Sequence, residues 1–568
     1  MRFKEKIKNI FFVISIFFIL FYGLNIEAIS LGDSVNFNVD ENFDSFKRSQ
    51  VSAVLIKTTP NLYFYVEKNW WNSQVLDKQN EILVDLENLS NEFSSKIYPI
   101  LTSVYGSEWK PGVDGDNKIT IFFHAIKNNS DGYFRSTDEY IKLQLPNSNE
   151  REMIYLPITR INDPQLKVIL AHEFVHLITF NQKDRINGVQ EEVWLNEVRA
   201  EYASTILGYD NFYEGNNLQN RVKDFLVSPS DSLTEWQDTK YDYATANLFA
   251  HYLVDNYGIN ILSDSLKSKL IGIESINKIL SKNGYKEDFS QIFTNWTIAT
   301  IINDCSLDLK YCYSNKNLAN LKINPVLIFL PLVGNSSLSI SNVTKNWSGN
   351  WQKIIGGNGD LKLKFSSLSG LDFQVPYIIF DKNNNPSINF LNLDANRKGE
   401  IDVKDFGLKY NSLIIMPSLQ TKTSGFNGLE LTYPYTFTLS ITRENIQESK
   451  DELLIQKLLA QIDSLKRQIN AILLSKGKVN DPSLQKDYNL CNELNSDLYF
   501  GISKNNEVMC LQQFLKNEGQ DIYPEALITG YFGNFTKSAV IRFQEKYKIF
   551  NTGFVGPITR TKINQLLK

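Results

Sequence analysis

One apolar stretch constrains the fold of this chain more than any other: VILAHEFVHLITF, residues 168–180. It holds two of the four histidines in the chain, His172 and His176, with Glu173 between them. On a helix, residues four positions apart lie one turn apart on the same face. If the stretch is helical, both imidazoles can bind one metal ion, and Glu173 lies beside them. The alternative is an ordinary buried helix with two hydrogen-bonded histidines.

A second helical stretch, VQEEVWLNEVRAEYAS (189–204), favours the metal site. A catalytic zinc ion needs three protein ligands and one open position. Glu197 or Glu201 could supply the third ligand, since the two lie four positions apart on one helical face. The other glutamate could accept a hydrogen bond from the free ring N–H of a ligating histidine and so fix its tautomer. A closed structural zinc site would need a further Cys or His, and none lies close in sequence.

The segments AHEFVHLITF and WLNEVRAEY resemble the gluzincin metallopeptidases, the thermolysin-like clan, and within it the secreted bacterial hyicolysin-type enzymes. The resemblance extends over about residues 50–305 and includes DGDNKITIFF, GYF, EMIYLPI and YATANLFAHYLVDNYG. It implies one catalytic Zn²⁺ ion bound by His172, His176 and Glu197.

The same resemblance assigns roles to the neighbouring residues. Glu173 is implied to be the general base of peptide hydrolysis, and Glu201 to be the acidic partner behind a ligating histidine. Tyr243 matches the tyrosine that stabilises the oxyanion. Tyr241 and His251 lie nearby in sequence, so this last role stays open among the three.

The N-terminus is typical of a secretory signal peptide. Basic residues at positions 2, 4, 6 and 8 precede an apolar run from Ile10 to Leu24, and Ala28 offers a small residue for cleavage. The run is short for a membrane span. We therefore predict that residues 1–28 are a signal peptide and that the protein is secreted or associated with the cell wall. The alternative is an uncleaved N-terminal anchor.

The composition limits the class of protein and its partners. The 568 residues are 42% hydrophobic and 21% charged, which is typical of a globular chain with several domains. Lysine and arginine total 59 against 63 acidic residues, a formal net charge of −4, which gives no support to a nucleic-acid partner. We expect a monomer.

The four cysteines form two local pairs, Cys305 with Cys312 and Cys491 with Cys510. In an oxidising compartment each pair could close a short loop. We predict two disulfides, with free thiols as the alternative.

The order of strand-like and helix-like segments along the chain predicts a multidomain α+β protein. A catalytic domain with a β-rich part followed by a helical part is expected over 29–320. Its strands are expected within 52–67, 113–126 and 152–158, and its helical part from 163 to about 304. Short strands separated by Gly, Asn and Ser predict a β-sandwich domain over 321–445. A short helical spacer and polar linker follow at 446–487, where apolar residues recur at spacings of three and four.

The C-terminal part, 488–568, contains an internal repeat. TGYFGNFT (529–536) and TGFVGPIT (552–559) recur 23 positions apart, with amphipathic helical segments before and between them. The arrangement resembles the three-helix peptidoglycan-binding module of exported bacterial hydrolases. The implied partner of 488–568 is therefore peptidoglycan.

Together these features predict an exported zinc-dependent metalloendopeptidase, acting on a protein or peptide substrate and tethered to the cell wall. One alternative is a hydrolase that cuts the peptide bridges of peptidoglycan itself. Another is a catalytically silent wall-binding surface protein with a structural metal centre. Glu173 argues against the last alternative, since a closed structural site has no use for a general base.

Overall fold

A computed structural model describes residues 30–442 and 493–567, except 128–129, 332–334, 427, 501, 503–505, 525, 527 and 550. The chain divides into two compact units, Met1–Glu444 and Asn445–Lys568. The predicted signal peptide and helical spacer lie outside the described residues, as does Cys491. No helix in the described part of the chain combines the length and apolarity needed to cross a bilayer.

The first unit begins with a six-stranded sheet of order β1-β2-β3-β4-β6-β5. Its central strands β3, β4 and β6 run parallel and are almost entirely buried, as is expected of parallel strands covered on both faces. The strands predicted within 52–67, 113–126 and 152–158 are confirmed. The six strands are β1 (Ser34–Asn38), β2 (Gln50–Thr58), β3 (Leu62–Glu67), β4 (Ile119–His124), β5 (Tyr133–Phe134) and β6 (Met153–Pro157).

The predicted helical region from 163 to 304 is also confirmed. Two of its helices, α8 and α11, begin with capping boxes that satisfy the free backbone N–H groups of their first turns. Three further helices, α1 to α3, lie earlier in the chain, between β3 and β4. The α-helices of the first unit are α1 (Lys68–Ser73), α2 (Leu76–Glu92), α3 (Tyr98–Tyr105), α4 (Leu166–Phe180), α5 (Val193–Glu201), α6 (Ala203–Ile206), α7 (Asn217–Val227), α8 (Lys240–Tyr257), α9 (Asn260–Leu266), α10 (Gly272–Lys282) and α11 (Phe289–Ile302).

The strands predicted between 321 and 443 form the β-sandwich part of the same unit. Nine of them make one sheet, and β11 pairs separately with β16. Buried residues alternate with mostly half-buried ones along β10 and β17, which places one face of each strand in a separate apolar core. The strands are β7 (Val326–Leu330), β8 (Ser336–Thr344), β9 (Gln352–Gly356), β10 (Gly359–Ser367), β11 (Phe373–Gln374), β12 (Pro376–Asp381), β13 (Pro386–Phe390), β14 (Lys398–Phe406), β15 (Tyr410–Ile415), β16 (Ser418–Leu419) and β17 (Tyr433–Thr442).

Two tryptophans fix this sandwich to the helical part. Trp347 and Trp351 are buried in the same apolar core as α4 and α11. The Trp351 indole N–H donates to the carbonyl of Thr297 at 2.8 Å, and the Trp347 ring lies 4.9 Å from that of Phe289. The predicted boundary at residue 320 therefore falls between parts that share one core.

The first predicted disulfide is confirmed, since Cys305 and Cys312 are bonded. Cys510 is also disulfide-bonded, and its predicted partner Cys491 lies outside the described residues.

The second unit contains the three predicted helices of the C-terminal module, around a small apolar core of its own. They are α12 (Asn506–Asn517), α13 (Asn534–Lys546) and α14 (Pro557–Leu567).

His124, at the end of β4, leads to a prediction about acid stability. Its buried ring lies 3.3 Å from Asp44 and 3.0 Å from the hydroxyl of Tyr133. Burial lowers the pKa of His124 from 6.5 to about 4, although Asp44 opposes this shift. Between those values the unfolded chain binds a proton that the folded chain does not, so stability decreases as the pH falls through this window.

We expect His124 to lower the free energy of unfolding by about 2 kcal/mol between pH 7 and pH 5. Urea unfolding followed by tryptophan fluorescence measures it, with His124→Gln beside the wild type. In the variant, the free energy of unfolding should fall by that much less between pH 7 and pH 5 than in the wild type. An equal pH dependence in both proteins would contradict the prediction.

Candidate metal centre

Helix α4 places the two motif histidines together. Its residues are almost all buried, and the rings of His172 and His176 lie 4.9 Å apart on one face. Helix α5 packs against α4 and brings Glu197 opposite them. The carboxylate oxygens of Glu197 lie 3.2 Å from His172 Nε2 and 3.5 Å from His176 Nε2. One ligand atom from each of the three residues lies within 4.8 Å of the other two.

This donor set fits zinc. Two imidazole nitrogens and one carboxylate oxygen are the donors of open catalytic zinc sites. Glu197 Oε2 is buried and lacks a well-directed hydrogen bond within the described residues, as expected of an atom placed for a metal ion. The His172 side chain keeps 17% of its exposure and that of Glu197 keeps 12%, so solvent reaches the cluster.

The charges of these groups depend on one another. Burial alone would lower the pKa of both histidines, but contact with Glu197 raises that of His172 to about 9, while that of His176 stays below its usual value. Burial would raise the pKa of Glu197, yet the two neighbouring histidines hold it below its usual value. Glu197 is therefore a carboxylate at neutral pH.

Glu201, at the end of α5, lies behind the cluster. One of its oxygens is 3.6 Å from His172 Nδ1, the ring nitrogen turned away from Glu197. Arg221 of α7 donates two hydrogen bonds to the Glu201 carboxylate, at 2.8 and 2.6 Å, and Asn247 of α8 donates a third at 3.2 Å. Glu201 is thus held in place from three sides.

Glu173 lies on α4 with 5% of its surface exposed. Its carboxylate is close to the backbone of Gly132, where an added Cβ atom would come within 3.1 Å of Glu173 Oε1. Burial raises the pKa of Glu173 to about 8, against the opposing charge of His172. Gly132 directly precedes β5, the end strand of the sheet, so Glu173 lies beside a sheet edge.

Of the three residues considered for the oxyanion role, Tyr243 lies at the cluster. Its ring centroid is 6.2 Å from that of His172, and its hydroxyl donates to Asp238 at 2.6 Å. His251 is fully buried elsewhere, between Thr205 and Asn315, and burial lowers its pKa to about 3. Tyr241 lies against Lys240 at the helix start.

Three residues at this site escaped the sequence analysis: Arg221, Asp238 and Asn247. Arg221 also lies over the Tyr243 ring, with its guanidinium carbon 5.0 Å from the ring centroid. None of the three belongs to a motif with a fixed spacing from the histidines. Only the packing of α8 against α5, and of α7 against α8, brings them to the site.

Comparison with known proteins supports both the predicted peptidoglycan-binding module and the predicted resemblance to a metalloprotease. Residues 504–563 match the family model of the peptidoglycan binding domain, so the C-terminal unit contains such a domain. The chain is 26% identical over 296 residues to the neutral metalloprotease ShpI of Staphylococcus hyicus. That match covers 47% of this chain and 61% of the relative. The predicted resemblance to a bacterial metalloprotease with a peptidoglycan-binding module is confirmed.

Solved structures add no argument about the fold. The Aeromonas hydrophila periplasmic lysozyme inhibitor PliG shares 9% identity, with 21% of this chain and 100% of that chain covered and a TM-score of 0.15. The pre-peptidase C-terminal domain of a Bacillus anthracis collagenase shares 8%, with 20% and 96% covered and a TM-score of 0.14. Scores at this level do not establish a common fold.

Proposed function

We propose that this chain is an exported zinc-dependent metalloendopeptidase of the gluzincin type, held at the cell wall by its C-terminal module. The observation that carries the proposal is the convergence of His172, His176 and Glu197 into one ligand set. Glu173 lies on α4, between the two histidines of this set in sequence. The similarity to a neutral metalloprotease supports the same reading.

In this proposal His172, His176 and Glu197 bind the zinc ion. When bound, zinc polarises the scissile carbonyl and lowers the pKa of water to roughly 7. Glu173 takes the proton from the attacking water and delivers it to the leaving amine. Glu201 positions His172 by accepting a hydrogen bond from the Nδ1–H group.

Tyr243 is the proposed donor to the oxyanion. Its hydroxyl donates to Asp238 in this structure, and the substrate carbonyl would take over that hydrogen bond as negative charge develops. Burial raises the pKa of Tyr243 well above its usual value, so the phenol keeps its proton.

The sheet edge beside Glu173 supports an extended peptide as the substrate. β5 is the last strand of its sheet and pairs on one side with β6. An edge strand offers backbone N–H and C=O groups to which an extended peptide can pair. Gly132 allows the chain to pass close to Glu173, which would bring a paired peptide to the proposed base.

The peptidoglycan-binding domain favours a second candidate substrate, the peptide bridges of the wall. Both candidates use the same chemistry. Digestion of casein and of purified peptidoglycan, each with and without a chelator, separates them. Zinc at one ion per chain and chelator-sensitive cleavage of either substrate would support the proposal. A zinc-loaded chain that cleaves neither would overturn it in favour of a silent wall-binding protein.

The module boundaries lead to a prediction about fragments. We expect residues 488–568 alone to fold and sediment with purified sacculi, because this unit has its own core. Residues 29–445 should keep peptidase activity and lose that binding. A cross-link within the small module should contribute roughly 2–4 kcal/mol, so the C-terminal fragment should be less stable in reductant. If only the 29–445 fragment sediments, the tether lies in the other unit.

A further inference from the structure

The C-terminal unit contains two turns that are held by the same pattern of hydrogen bonds. The first turn (529–536) is held by Gln512, a buried glutamine of α12. Its side chain accepts a hydrogen bond from the N–H of Gly530 at 3.0 Å and donates one to Thr536 Oγ1 at 2.8 Å.

The second turn (552–559) is held in the same way by Gln544 of α13. This buried glutamine accepts from the N–H of Gly553 at 2.9 Å and donates to Thr559 Oγ1 at 2.9 Å. The matching bonds make positions 23 residues apart structurally equivalent. Tyr531 therefore corresponds to Phe554.

At each turn one apolar side chain is buried and the one before it is exposed. Phe532 and Val555 are fully buried in the core of the unit. Tyr531 and Phe554, directly before them, keep 45% and 40% of their exposure. Phe532 and Val555 belong to the core of the unit, whereas Tyr531 and Phe554 do not.

A further equivalent pair, Phe535 and Ile558, is also exposed, at 45% and 75%. Leaving large apolar side chains partly in water forgoes part of the free energy that their full burial would supply. Exposed apolar clusters on soluble domains mark interaction surfaces. Because large apolar side chains occupy both exposed positions in each turn, we infer that this surface is kept for binding.

Residues 498–500 and Ile502 connect the two turns. Leu498 exchanges two backbone hydrogen bonds with Val555, and the carbonyl of Ile502 accepts from the N–H of Phe532. Between these anchors Tyr499 and Phe500 are exposed, at 54% and 45%. The Tyr499 ring lies 6.4 Å from that of Phe554.

Every exposed aromatic residue in the described part of this unit therefore lies on three segments that are bonded to one another. The aromatic surface consists of Tyr499, Phe500, Tyr531, Phe535 and Phe554.

We propose that this aromatic surface binds the glycan strands of peptidoglycan by stacking against their sugar rings. The proposal rests on the wall-binding function proposed above. A pyranose ring presents an apolar face of C–H groups that an aromatic ring can cover. A stem peptide carries carboxylate and amino groups, which would call for charged partners. The equivalent exposed positions of the two turns hold only uncharged side chains.

The test uses the full chain with Glu173→Gln, so that the wall is not digested. Tyr499→Ala, Tyr531→Ala and Phe554→Ala are added singly and together. Each should weaken sedimentation with purified sacculi about 5-fold, and the triple variant about 100-fold, from roughly 1 kcal/mol for each stacked ring. Leu566→Ala is the matched control, since Leu566 is exposed on α14 outside the aromatic surface. Thermal melting checks that each variant is folded.

Peptide-stripped glycan and a β-1,4-linked N-acetylglucosamine oligomer identify the ligand. Both should compete with sacculi for the parent chain. Competition by free stem peptide alone would overturn the glycan assignment. Undiminished binding by a folded triple variant would overturn the aromatic surface but leave the wall tether standing. A parent chain that does not sediment would overturn the tether, and this surface with it.

Discussion

Replacing Glu173 with glutamine is expected to abolish peptide hydrolysis while leaving zinc and the fold in place. Glutamine has nearly the same size and shape, so the close contact with Gly132 is preserved. An amide cannot accept the proton of the attacking water, and loss of a general base costs roughly 10²–10⁴-fold in rate. Peptide cleavage kinetics and the zinc content of the same preparation measure both effects.

Glu214→Gln is the matched control, because Glu214 is an exposed glutamate in the same unit. It makes the same chemical change at an exposed position and should leave activity within experimental error. Near-normal turnover by zinc-loaded Glu173→Gln would refute the proposed mechanism.

Replacing Glu197 with alanine is expected to remove zinc binding almost entirely. Its carboxylate is the one acidic group in the ligand set, and its loss leaves two histidines on one helix. We expect zinc affinity to fall by more than about 100-fold, beyond the range for residues that act through a ligand. Competition titration with a chromogenic chelator gives the affinity, and circular dichroism checks the fold.

Glu201→Ala provides the comparison. It removes the partner of His172 Nδ1 but none of the three proposed ligands, so zinc affinity should fall by about 10–100-fold. Because this change also leaves Arg221 without its carboxylate, Arg221→Ala should be measured beside it. A larger loss of affinity at Glu201 than at Glu197 would exchange the two assigned roles.

The sequence was most informative where spacing alone decides geometry. The helical period predicted that His172 and His176 share a face, and the structure brings their rings together. It left Glu197 and Glu201 open as ligands, because both lie on one helical face. The resemblance favoured Glu197, and the structure places its oxygens against both Nε2 atoms.

Tertiary packing decided what spacing could not. Tyr241, Tyr243 and His251 all lie on α8, and periodicity does not say which of them faces the histidines. The structure places Tyr243 there and buries His251 against Thr205. The contact of Arg221 with Glu201 could not be predicted from the sequence either, since an arginine on an amphipathic helix is usually solvated.

The two buried tryptophans of the sandwich, Trp347 and Trp351, limit how such chains can be rearranged during evolution. A gene crossover near residue 320 would separate both indoles from the helices that cover them. Each loss would cost roughly 3–5 kcal/mol, and the two together would be comparable to the whole stability of a domain. A crossover after residue 442 cuts none of these contacts. We therefore expect the sandwich to be inherited together with the helices that carry the proposed metal centre, whereas the C-terminal module can be exchanged without disturbing that shared core.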